Sequence, residues 1–227
     1  MQKARTAAAG RARQRGGARR DPEATRRALV DAASALFAER GFYGVPIDEV
    51  AARAGVNKAL ISYHFGGKRG LYVAVLESVL RELALRVKAV EAEALPVPAT
   101  LRRLLEAFAA FGRERPAFPG LWVRELISHG LEPAVAPHIL EIAAVNRRLA
   151  ERGMRDGSFR RVDPLLFHFG LVGCMVFFLA TDPPRRRAAS AGLVPFAMPG
   201  IPEFFRYVEE LTLKGLAPLA RRKGARA

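Results

Sequence analysis

The sequence predicts an all-α protein, in which an N-terminal three-helix domain precedes a larger helical domain, with about nine helices in total. Apolar residues recur at three- to four-residue spacing through most of the chain, as they do in amphipathic helices. Asp-Pro pairs, which are typical helix starts, precede two of these segments. No segment of useful length alternates apolar and polar residues as a half-buried strand would.

The chain is strongly basic, and its positive charge is unevenly distributed. The formal net charge is +15 at pH 7, which favours a polyanionic partner, either nucleic acid or an anionic membrane surface. We expect a disordered basic tail at 1–20, a first domain at 21–90, a second domain at 91–221 and a basic tail at 222–227. The first twenty residues lack the apolar core of a secretion signal. Together with the single cysteine, this predicts a cytoplasmic protein.

The first helix is predicted to begin at Asp21-Pro22 and to end before Gly41. The aspartate can accept hydrogen bonds from free backbone amides. Proline forfeits no hydrogen bond at the first helical position, because an amide there has no partner within the helix. Glycine is a common helix stop. Between these limits, apolar residues follow helical spacing, namely Leu29, Ala33, Leu36 and Phe37.

Two short helices follow, at about 47–54 and 58–64. Ala51 is small enough for the two helices to cross closely, and Gly55 tolerates the positive φ that a tight turn between them requires. Asn57 is a good N-cap for the second of the two. Lys58, Ala59, Ser62 and Tyr63 then face outward on a helix that can lie in a DNA major groove.

The remaining elements are predicted from periodicity and from proline and glycine breaks. A long fourth helix runs from about 68 to 91 with one apolar stripe. Further helices are expected near 99–114, 118–129, 134–156, 164–181 and 202–220. The proline- and arginine-rich stretch 182–200 is interpreted as an exposed loop.

The segment at 164–181 is hydrophobic nearly all round, so it should be buried on every side. It is marginal in length for a membrane span, and we expect a packing helix and no membrane partner. With the helix at 202–220 it forms either half of an intermolecular four-helix bundle or part of an intrachain core. Gly170 and Gly173 would permit close helix approach.

Aromatic residues in the second domain predict an apolar ligand pocket with a few polar groups, although plain core packing would use the same residues. The candidate ligand residues are Phe108, Phe111, Trp122, Arg124, His129, Phe167 and Phe177. Arg124 and its neighbour Glu125 diverge by about 100° around a helix, so both cannot point inward. No spacing typical of metal ligands, cofactor loops or catalytic constellations is found, which predicts a protein that is not an enzyme and needs no cofactor.

The region from the first helix into the fourth resembles the DNA-binding domain of the tetracycline-repressor (TetR/AcrR) family over about residues 24–85. Three motifs carry the resemblance: Gly41-Phe42, Ala51-Ala52-Arg53-Ala54-Gly55-Val56-Asn57-Lys58 and Tyr63-His64-Phe65-Gly66-Gly67-Lys68. Their combined spacing is far more specific than any one of them.

The resemblance implies a role for each matching residue. Lys58 and Ala59 would face base edges, Tyr63 and His64 would contact phosphates, and Lys68 would pair with another phosphate at a helix start. Val45-Pro46 departs from the family pattern, because a hydroxyl-bearing pair usually stands there. Leu60 and Ser62 also depart from it, which leaves the operator sequence open.

These observations predict a ligand-responsive transcriptional regulator, a repressor, that binds a palindromic double-stranded operator as a homodimer. A small hydrophobic or amphipathic effector would release it. Two alternatives remain open: a non-specific nucleoid-type protein that uses the positive charge, and an all-α enzyme or carrier that uses the aromatic pocket.

Overall fold

A computed structural model describes residues 21–218 and shows ten helices and no strand in that range. The predicted tails at 1–20 and 222–227 lie outside the described residues. The helices are α1 (Pro22–Arg40), α2 (Ile47–Ala54), α3 (Ala59–Phe65), α4 (Lys68–Ala92), α5 (Val97–Glu114), α6 (Phe118–His129), α7 (Ala136–Asp156), α8 (Pro164–Ala180), α9 (Asp182–Ser190) and α10 (Ile201–Leu216). The all-α prediction is confirmed.

The first three helices form a small domain around α1. The Asp21 side chain accepts a hydrogen bond from the Glu23 amide at 3.0 Å, so the predicted helix start is observed. α1 packs against α2 and α4, and α3 packs against α4. Leu29, Phe37 and Ile61 are fully buried where these helices meet.

Helix α4 belongs to both halves of the molecule. Its 25 residues span about 38 Å, and buried apolar residues run from Leu71 near its start to Val90 near its end. It packs against α1 and α3 at one end and against α5 and α7 along the rest. Any displacement of α4 in the second domain therefore reaches the first.

The second domain is built on α4 to α8 and α10. α7 packs on α4 and α8, α6 packs on α8, and α10 packs on α5 and α8. Gly112 of α5 lies so close to Leu179 of α8 that a Cβ there would stand 2.5 Å from the leucine side chain. Apolar side chains thus fill a continuous core.

The prediction of an exposed loop over 182–200 is wrong for its first half, where the structure has α9. Arginines spaced three and four residues after Asp182 stabilise this short helix: Arg186 donates to the Asp182 carboxylate at 2.7 Å, and Arg185 lies 3.4 Å from it. Such pairs support helices that propensity alone would not predict. Ten helices therefore replace the expected nine.

The prediction that α8 is buried on every side is wrong within one chain. α6, α7 and α10 cover part of its circumference, whereas Leu165, Leu166, Phe169 and Phe177 are 59–71% exposed. No single described helix is both long and apolar enough to cross a membrane, and only the bent pair α8 and α9, taken together, meets the length and composition criterion.

Candidate nucleic-acid interface and apolar cavity

The turn between α2 and α3 adopts the conformation that the sequence predicts. Gly55 has φ 65° and ψ 36°, in the left-handed region that residues with a Cβ rarely adopt. The amide of Val56 donates to the carbonyl of Ala51 at 3.0 Å, and Ala51 itself is buried. Since the turn is this tight, α3 crosses α2 as the second helix of a helix-turn-helix.

The start of α3 is held by side chains on both sides of the turn. The Asn57 side chain accepts a hydrogen bond from the Ala59 amide at 2.8 Å, as expected of an N-cap. Lys58 precedes the helix, and its ammonium lies 3.0 Å from the Asp48 carboxylate of α2. Both side chains are about two-thirds exposed, so this ion pair is weak and a phosphate or a base edge can replace it.

The outer face of α3 is exposed to solvent. Ala59 and Ser62 are exposed, and Tyr63 is 80% exposed although its ring is large and apolar. The His64 ring, half-buried, lies 5.0 Å from the Tyr63 ring. Ile61 on the opposite face is fully buried, so α3 is anchored on one side and presents the other.

Lys68 is the first residue of α4, as predicted. Its ammonium lies 4.7 Å from the centre of the Phe42 ring, and no side chain caps the N-terminus of α4. A helix N-terminus and a lysine together attract phosphate. Tyr43, which the sequence interpretation did not single out, is 86% exposed and lies next to Phe42. An aromatic residue directly after Gly41-Phe42 was the sequence signal that could have identified it as a candidate interface residue.

α2 begins without a side-chain cap, since Pro46 stands at its N-cap position. This matches the missing hydroxyl noted in the sequence. Two other features stabilise the position of α2. The Val45 side chain just before it is buried, and the Arg40 guanidinium of α1 donates to the Glu49 carboxylate at 2.5 Å.

A cavity of about 390 Å³ lies in the second domain between α4, α5, α6, α7 and α8. Three of the predicted ligand residues, Phe108, Phe111 and Trp122, line it. Every other lining residue is apolar or glycine except His168. The sequence interpretation treated His168 as structural and did not place it at this site.

The other four predicted ligand residues lie away from this cavity. Phe167 is buried against Phe159, with ring centres 5.9 Å apart. Phe177 is 70% exposed on α8. Arg124 is exposed and lies beside Gly41, and His129 contacts the Glu125 carboxylate at 3.3 Å.

Glu125 joins the two domains. It is only 3% exposed, lies 3.3 Å from the His129 ring and forms an ion pair with Arg69, the second residue of α4. Arg69 also binds Glu132. Burial and the neighbouring Glu125 raise the pKa of Tyr72 to about 12. Because Trp122 and Leu126 of the same helix line the cavity, α6 contributes to the cavity wall and, through Glu125, contacts the start of α4.

Comparison with known proteins agrees with this geometry. The profile of the bacterial regulatory proteins, tetR family, matches residues 29–75. The transcriptional activator FasR of Mycolicibacterium smegmatis is 30% identical over 180 residues, which cover 76% of this chain and 81% of that protein. The transcriptional repressor SCO4008 of Streptomyces coelicolor is 46% identical over 70 residues, which cover 31% of this chain and only 36% of the repressor.

A solved structure shows the same fold. The transcriptional regulator FadR from Bacillus subtilis, crystallised with stearoyl-CoA, superposes with a TM-score of 0.70. The superposition covers 84% of this chain and 98% of that one at 16% sequence identity.

Proposed function

Because this chain belongs to the tetR family of bacterial regulatory proteins, we propose that it is a homodimeric, ligand-responsive repressor that binds a palindromic operator. The observation that carries this proposal is the outer face of α3. A helix that is anchored through a buried Ile61 and presents an 80% exposed Tyr63 needs a partner surface, and the major groove admits such a helix.

Dimerisation is inferred from the exposed face of α8. Over 17 residues this helix carries no Lys, Arg, Asp or Glu, so its partner must be equally apolar. A Cβ at Gly170 or Gly173 would meet nothing within 4 Å, which leaves room for close approach of another helix. Tyr207 and Leu211 of α10, 61% and 57% exposed, extend the apolar surface. A second copy supplies the same two helices by two-fold symmetry.

Two-fold symmetry also determines the form of the operator. Two α3 helices related by such an axis read two inverted half-sites whose centres lie about 34–36 Å apart, or a multiple of this distance. The cavity lined by Trp122 supports an effector. A ligand there contacts α6, and through Glu125 and Arg69 it influences the start of α4.

The sign of regulation is proposed as repression, while relatives of the chain include both a repressor and an activator. A reporter gene placed behind the operator measures this sign directly. We expect expression to fall when the regulator is supplied and to recover with the effector.

The proposed function is tested by selecting a preferred site from random DNA and then titrating it against competitor. A site-specific regulator should bind its selected palindrome about 10³-fold or more tightly than random duplex. A non-specific nucleoid-type protein, which would use the net charge of +15, should lose the selected site to competitor in proportion to DNA length and yield no palindrome.

Two lysine variants should separate base reading from phosphate binding. Lys58→Ala is expected to weaken binding of the selected operator by about 1–3 kcal/mol and random DNA much less. Lys68→Ala should weaken both equally, because phosphates carry no sequence information. Gel shifts measure both affinities. Lys88→Ala, an exposed position further along α4, is the control and should change neither. Normal operator binding by Lys58→Ala would place the reading face elsewhere.

A further inference from the structure

The wall of the apolar cavity contains one buried polar pair. Asn146 of α7 is fully buried and His168 of α8 is 8% exposed. Asn146 Nδ2 lies 3.0 Å from His168 Nδ1. With the amide nitrogen of Asn146 facing the ring, Nδ1 accepts this hydrogen bond, and the amide oxygen, Asn146 Oδ1, is buried without a partner among the described residues.

This contact determines which atom of His168 carries the proton. Burial lowers the pKa of His168 below its ordinary value, so the ring is neutral near pH 7. With Nδ1 accepting, the proton of the neutral ring lies on Nε2. Among the described residues, no group pairs with Nε2. His168 itself lines the cavity, and Nε2–H is the one donor that this form of the ring can offer to a ligand there.

The rest of the wall decides what this donor can recognise. No Lys, Arg, Asp or Glu lines the cavity, so a buried carboxylate or ammonium would lack a compensating charge, which is costly in an apolar site. A neutral oxygen acceptor avoids that cost and satisfies the free N–H. The cavity volume of about 390 Å³ lies at the lower end of the range of roughly 300–1,000 Å³ that small-molecule sites span, so the ligand is small.

We propose that the effector is a small, neutral, mostly apolar molecule, and that its one acceptor oxygen receives a hydrogen bond from His168 Nε2. Asn146 is the positioning residue that selects the Nε2–H form of the ring. This inference rests on the proposed effector cavity and adds the chemical class of its ligand.

The test uses three probes of matched size on the full-length protein at pH 8. 2-Acetylnaphthalene carries a neutral acceptor, 2-isopropenylnaphthalene has the same shape without one, and 2-naphthoate carries a charge. Isothermal titration calorimetry should show the ketone binding about three- to tenfold more tightly than the alkene, the value of one net hydrogen bond. The naphthoate should bind at least about tenfold more weakly than the ketone.

Variants at His168 assign the preference to this residue. His168→Leu should bind the ketone and the alkene equally, whereas His168→Gln keeps a side-chain donor and should retain part of the preference. Thermal unfolding checks that both variants fold. In wild type, ¹⁵N NMR of the imidazoles, assigned by the loss of one signal set in His168→Gln, should show the proton on Nε2.

Each contrary result has a distinct meaning. Equal binding of ketone and alkene by wild type, tight binding of naphthoate, or a proton on Nδ1 overturns this inference and leaves the cavity in place. Failure of all three probes to bind wild type overturns the cavity as the effector site as well.

Discussion

Replacing Phe177 by arginine is expected to make the protein monomeric and to weaken operator binding by more than about a thousandfold, because a monomer keeps only one half-site's contacts. Phe177 is 70% exposed in the single chain, and it lies on the same face of α8 as Leu166 and Gly170. In a two-fold dimer each new guanidinium would be buried against an apolar partner helix. The free-energy cost of burying an unpaired charge is much larger than the stabilisation gained by burying the methylene groups of the arginine.

The control for this variant is Leu85→Arg. Leu85 is 62% exposed on α4, outside α8 and α10, so the same charge there should leave the dimer intact. Analytical ultracentrifugation measures the oligomeric state, and gel shifts with the selected operator measure binding. A Phe177→Arg protein that sediments as a dimer and binds normally would show that the α8 face is not the interface.

The helix-turn-helix was predictable because its signals are local. The positive φ of Gly55 and the Asn57 cap both depend on neighbours within four residues. Residue type and spacing therefore determine them almost alone. The same reasoning placed Lys58 and Tyr63 on an exposed face, since Ile61 had to point the other way.

The cavity was only partly predictable because its wall depends on the rotation of each helix. Aromatic composition identified Phe108, Phe111 and Trp122, which line it. It could not separate them from Phe167 and Phe177, which sit on other faces of α8. His168 was missed because its partner, Asn146, is 22 residues away in the sequence. Packing between helices, which no local pattern encodes, brings the two side chains together.

The ion pair between Glu125 and Arg69 was not predicted for the same reason, since Arg69 lies 56 residues away. This pair gives the second large expected effect. Arg69→Met would leave a carboxylate that is 3% exposed with only the His129 ring and the Tyr72 hydroxyl close by. We expect the free energy of unfolding to fall by about 2–4 kcal/mol, at the lower end for a broken buried ion pair because Arg69 is 37% exposed.

Denaturant unfolding measures this loss, and two further variants identify its cause. Adding Glu125→Gln to Arg69→Met should restore most of the stability, because it removes the buried charge. Arg147→Met breaks an exposed ion pair with Glu151, whose side chains are 59% and 36% exposed, and should cost less than about 0.5 kcal/mol. Equal losses for Arg69→Met and Arg147→Met would mean that the buried carboxylate is not the cause.

The restored double variant also tests how the two domains communicate. In wild type an effector bound beside Trp122 should lower operator affinity by about 5–150-fold, the usual range of allosteric coupling. α6 lines the cavity through Trp122 and contacts Arg69 through Glu125, and Arg69 adjoins Lys68, the proposed phosphate-binding residue. With both charges removed, the protein should still bind operator and effector separately, but the effector should release much less DNA. Undiminished release by the double variant would show that the signal reaches α4 through its apolar contacts with α5 and α7.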